Sequence, residues 1–110
     1  MKDSDNRLIQ LRQFLAEDPN DPFLHYAVCL ELKKSNSAEL NAAFEKMLLQ
    51  FPDYLPGYYQ YALLLAENGD SSKAMEILLG GIALAEKLQD WHTLAELKSL
   101  RQNILTGEYE

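Results

Sequence analysis

Apolar residues recur three and four places apart in six stretches of this chain, the spacing that puts them on one face of an α-helix. Leu8, Leu11, Phe14 and Leu15 form the first stripe, and Phe23, Tyr26, Ala27 and Leu30 the second. Leu40, Ala43, Phe44, Met47 and Leu48 form the third, and Tyr58, Tyr61, Ala62 and Leu65 the fourth. Ala74, Ile77, Leu78, Gly81 and Ile82 form the fifth, and Trp91, Leu94, Ala95, Leu97 and Leu100 the sixth. No stretch reads as a strand. Runs such as Leu63 to Leu65 lie inside helix-length segments and lack β-branched enrichment.

Proline and glycine separate the stripes. Pro19 and Pro22 fall in the first break, Pro52 and Pro56 in the second, and Gly69 in the third. Polar residues mark the starts. Ser4 or Asp5 suits the first cap. Asp21 followed by Pro22 suits the second, since proline needs no N–H partner at the first helical position. Ser37 precedes the third helix and Asp90 the sixth. Lys33 and Lys34 read as a helix C-terminus, where cations meet the negative end of the dipole. Gly69 is expected to take the left-handed conformation that ends the fourth helix. Gly80 and Gly81 interrupt the fifth pattern at a cost of about 1 kcal/mol each relative to alanine, so they call for a packing reason, or a bend. Connections this short force antiparallel neighbours.

One pattern recurs in the even-numbered stripes: an aromatic residue, a large apolar residue three places on, then alanine. It reads Phe23-x-x-Tyr26-Ala27-x-x-Leu30, Tyr58-x-x-Tyr61-Ala62-x-x-Leu65 and Trp91-x-x-Leu94-Ala95. The starts lie 35 and 33 residues apart, and Pro19 and Pro52 are 33 apart. Small side chains at Ala27, Ala62, Ala74 and Gly81 let helices approach, and the aromatics and leucines fill the remaining space. Phe23, Tyr58 and Trp91 are therefore expected in the repeat core, each burying about 150–250 Å².

A period near 34 with this motif resembles the tetratricopeptide repeat family over nearly the whole chain. The best unit runs from about Pro56 to Ala85: Tyr58, Tyr61, Ala62 and Leu65 stand at the family's Trp, Leu, small and Tyr positions. Gly69-Asp70 stands at its turn, and Ala74-x-x-x-Leu78 at its A-x₃-F. The preceding unit keeps Phe23, Tyr26, Ala27, Leu30, Phe44 and Pro52, but has Leu40 where a small residue is usual and one extra residue in the Ser35–Ser37 turn. The resemblance implies an all-α fold, a right-handed superhelical stack of antiparallel helix hairpins with about six helices. In residue numbers, 4–18 form an N-terminal capping helix, 21–53 and 55–88 two repeats, and 90–105 a C-terminal capping helix, all in one domain of 1–110. Lys98, Arg101 and Gln102 beside Leu97 and Leu100 give the last helix the polar outer side a cap needs.

Composition narrows the function classes. The chain has 110 residues, 47% hydrophobic and 25% charged, as in ordinary globular domains. A formal charge of −7 argues against nucleic acid and anionic lipid, which are held by clustered Lys and Arg. The apolar runs are too short to span a bilayer, and polar residues follow Met1-Lys2 where a signal peptide would be apolar. A single cysteine, Cys29, excludes an internal disulfide and points to the cytoplasm.

No catalytic or cofactor constellation stands out. His25 has no metal-binding partner at helical spacing, and His92 with Glu96 has the spacing of any surface pair. Cys29, between Val28 and Leu30, reads as a small core residue. Glu31, Glu45, Glu67, Glu76 and Glu86 read as solvated helix faces. Gly80-Gly81 lacks the Lys-Ser/Thr of a phosphate loop. The expectation is a protein that is not an enzyme and carries no cofactor and no metal.

The resemblance also implies a surface. In the family the first helix of each pair lines a concave groove that takes an extended peptide or a partner helix. The matching positions here are Leu24, His25 and Val28, then Tyr59, Gln60 and Leu63, then His92 and Glu96. They lack the Lys/Arg/Asn cluster of the family members that clamp a terminal carboxylate. The expected function is an adaptor holding a peptide or amphipathic helix of another protein. The alternatives are a homodimer that buries this surface or the end helix, and coverage of Tyr59 and Leu63 by the protein's own helices.

Overall fold

The computed structural model describes residues 3–107. Six α-helices and no strand occur among them: α1 (Asp3–Glu17), α2 (Pro22–Lys34), α3 (Leu40–Gln50), α4 (Leu55–Glu67), α5 (Ser71–Leu88) and α6 (Trp91–Leu105). The chain is all-α, built from neighbouring helices packed on one another, and falls into two compact units that divide between Pro52 and Asp53.

Local chemistry sets the helix ends. Asp21 is extended at φ −89° and ψ 108°, its carboxylate accepts the Phe23 N–H at 2.9 Å, and Pro22 follows as the first helical residue. Ser37 Oγ accepts the Glu39 N–H at 3.1 Å just ahead of α3. Asp70 and Asp90 cap α5 and α6 by accepting the N–H of Lys73 at 3.2 Å and of Thr93 at 3.1 Å. α1 already includes Asp3, so Ser4 and Asp5 lie in its first turn rather than at a cap; residues 1 and 2 fall outside the described residues.

Three helices end in the same way. Asn36, Gly69 and Gln89 have positive φ (53°, 84° and 56°) after α2, α4 and α5. The N–H of the next residue then reaches back to a carbonyl inside the helix: Ser37 to Leu32, Asp70 to Leu65 and Asp90 to Ala85, at 2.9–3.1 Å. Gly69 has the left-handed role expected of it. Asn36 tolerates this conformation, whereas Gln89 takes it with a side chain that resists it.

In the first unit α2 packs on both α1 and α3. Val28, Cys29 and Leu32 of α2 and Leu40, Phe44 and Met47 of α3 form its core. Arg12 of α1 and Glu39 pair at the surface, 3.1 Å apart. In the second unit α4 and α5 form a close hairpin, α6 packs on α5, and α4 also touches α6. Tyr61, Ala62 and Leu65 of α4, Ala74, Leu78 and Ala85 of α5, and Leu94, Leu97, Leu100 and Ile104 of α6 are buried. Tyr61 is 1% exposed, with the Lys73 ammonium 5.8 Å above its ring centroid.

Gly81 supplies the packing reason expected of the glycine pair. A Cβ there would meet Tyr58 Cβ at 2.8 Å and Leu97 Cδ1 at 3.5 Å, whereas one on Gly80 would meet only the edge of the Tyr58 ring at 3.4 Å. Tyr58 is half-buried against this seat. The other two repeat aromatics differ from expectation: Phe23 is 60% exposed and Trp91 61%. Their surroundings differ: Tyr58 is received by Gly81, whereas the matching position in the first unit, counted past the extra residue of the Ser35–Ser37 turn, holds the buried Met47. No helix follows α6 among the described residues to receive Trp91.

Candidate functional site

The positions expected to face a groove are placed as follows. In the first unit, Leu24 is half-buried and Val28 buried, one turn apart on α2. His25 is engaged within its own unit. A ring nitrogen lies 2.7 Å from the Pro19 carbonyl oxygen, and the ring packs on Phe51 with centroids 5.2 Å apart. It ties the α1–α2 loop to the end of α3. In the second unit, Tyr59, Gln60 and Leu63 are half-buried on α4. His92 and Glu96 lie on the exposed side of α6 and approach to 3.4 Å.

The first unit has an open cleft of about 270 Å³ between α1 and α2. On α2 a single face lines it: Phe23, Ala27, Leu30 and Lys34 recur at helical spacing. Leu11 and Arg7, one turn apart, form the opposite wall. The cleft is apolar at the Phe23 end and charged at the other. There Glu31, 5% exposed, accepts from Arg7 Nε at 3.2 Å and from Lys34 Nζ at 3.1 Å, while both cations remain mostly exposed. This corrects the reading of Glu31 as a solvated face residue. A carboxylate so deep needs paired cations to offset its desolvation.

Sequence reasoning missed this charged corner. Glu31 and Lys34, three residues apart on α2, were a visible pair, but Arg7 comes from another helix, and nothing in the local pattern announces it.

Other reactive groups are quiet. Cys29 is 1% exposed, and burial pushes its thiol up to about 12, offset in part by a backbone hydrogen bond. A neutral thiol of this kind is a poor nucleophile. Burial, and then the charge of Asp53, raise the Tyr58 phenol. Asp90 is held below the usual carboxylate range, first by the Thr93 N–H and then by the Thr93 hydroxyl at 2.9 Å. Among the described residues no group of three His, Cys, Asp or Glu side chains is placed to hold a metal ion, and no helix is long and apolar enough to cross a membrane.

Comparison with family models, curated proteins and solved structures gives no match to this chain.

Proposed function

We propose that this chain is a non-catalytic protein–protein interaction module, holding a peptide or helix of a partner protein as a small tetratricopeptide-repeat adaptor does. One observation carries the reading. Each unit begins a helix with a large aromatic side chain left mostly in water, Phe23 on α2 and Trp91 on α6. Exposed rings of this size are costly to solvate and are typical anchors of binding surfaces. Leu24, Val28, Tyr59, Gln60 and Leu63, with His92 and Glu96, extend the proposed partner-facing positions. A single cysteine kept as a buried thiol suits a reducing compartment such as the cytoplasm.

The test is recovery of partners by the intact chain, by Leu63→Lys and by a Phe23→Ser, Trp91→Ser double variant, with helical content followed by circular dichroism. The reading predicts loss of recovery with the double variant at unchanged helicity. Loss with Leu63→Lys alone would put the site on α4 instead of at the exposed rings, and recovery kept by the double variant overturns the reading.

A second reading is self-association through the end of the second unit. Leu88 closes α5 and Trp91 opens α6, both more than half exposed and three residues apart. Light scattering decides: a monomer at micromolar concentration removes a stable homodimer.

A further inference from the structure

We propose that the α1–α2 cleft receives one amphipathic helix of a partner protein, with carboxylates flanking that helix's apolar stripe. The inference rests on the interaction-module reading and adds where the partner sits and what chemistry it brings.

The cleft is open and holds about 270 Å³. Its shape suits a helix. Ala27 forms a low point between Phe23 and Leu30, where a partner backbone can approach, with an apolar side chain on either side. Charge then selects the partner. The chain carries −7 overall and repels acidic ligands in general. At this corner two cations surround one carboxylate, leaving a local excess of positive charge. Glu31, buried and bonded to both, fixes Arg7 and Lys34 in place before any partner arrives. Their side chains remain 69% and 63% exposed, open to a second carboxylate. A partner helix therefore sets its apolar residues at Phe23 and Ala27 and its acidic residues at Arg7 and Lys34.

Two fluorescent helical peptides with the same leucine stripe test this, one flanked by Glu and one by Lys. Both are titrated into the intact chain by anisotropy, with amide chemical shifts mapped in parallel. The acidic peptide is expected to bind roughly tenfold more tightly, and to weaken between about 50 mM and 300 mM salt. Phe23→Ser is expected to weaken it roughly tenfold and Lys34→Glu roughly fivefold, with helicity retained in both. The shifts should fall on Leu11, Phe23, Ala27 and Leu30. Equal affinity for the two peptides, or no binding by either, overturns the proposal. Shifts confined to Tyr59 and Leu63, with affinity insensitive to Phe23→Ser, overturn it while leaving the interaction-module reading intact. A peptide-free dimer that Phe23→Ser dissociates makes a second copy the occupant and also overturns it.

Discussion

Tyr58 and Gly81 meet so closely that a Cβ on Gly81 would stand 2.8 Å from the Tyr58 Cβ. Backbone-anchored atoms cannot swing away from such a clash, so the α4–α5 hairpin depends on that position having no side chain. Gly81→Ala gains about 1 kcal/mol of helix propensity but incurs overpacking of about 1–3 kcal/mol. A net loss of up to about 2 kcal/mol is expected in urea denaturation. Gly80→Ala meets only the ring edge at 3.4 Å and should stabilise by about 0.5–1 kcal/mol. Neighbouring glycines with opposite signs would separate packing from propensity; two changes of the same sign would refute the contact.

Gln89 stands where Gly69 stands one hairpin earlier, at φ 56°. A left-handed non-glycine residue costs about 1–2 kcal/mol, partly balanced by the greater freedom glycine has when unfolded. Gln89→Gly should therefore raise stability by about 0.5–1 kcal/mol. The reverse change, Gly69→Gln, should lower it by a similar amount. Thermal melts of the two variants check the pair.

The Glu31 corner predicts an asymmetry. Replacing both Arg7 and Lys34 by Met leaves a carboxylate 5% exposed without these two cations. The cations are mostly in water, which screens the pair, so the cost should be about 1–3 kcal/mol, short of a fully buried pair. Glu31→Met removes the buried charge and leaves two cations that water can solvate, so it should cost less than the double change. Denaturant midpoints of the two variants decide.

Asp90 predicts a pH dependence. Its carboxyl is held below the usual range by the Thr93 N–H and hydroxyl, so the folded state favours the ionised form. The contribution is complete above the unfolded value, near 3.9, and is lost as pH falls through the lower folded value. Melting temperatures from pH 7 to about pH 2.5 should fall less steeply for Asp90→Asn than for the parent chain. Parallel slopes would remove Asp90 from the acid transition.

Much of the fold was legible because its signals are local. Asp21, Asp90 and Gly69 each act within a few residues of themselves, and the apolar stripes follow from helical period alone. What was not legible depends on a neighbour far along the chain. Phe23, Tyr58 and Trp91 carry the same repeat signal, yet Tyr58 is seated against Gly81 while Phe23 and Trp91 are mostly exposed. Glu31 resembled other surface glutamates because Arg7, its partner across the helix pair, lies 24 residues earlier in the chain. The α1–α2 cleft escaped notice for the same reason. His25, read as a groove residue, has its ring nitrogen 2.7 Å from the Pro19 carbonyl oxygen, a bond the sequence pattern does not encode.

The central claim is that this protein keeps large aromatic side chains outside its core for a partner to cover. Trp91 is the chain's single tryptophan, so iodide quenching of its fluorescence reports on that claim without labels. At submicromolar protein the account predicts water-like emission and ready quenching, with protection appearing only when a partner or a second copy binds. Blue-shifted emission that iodide cannot reach in the isolated monomer would contradict it.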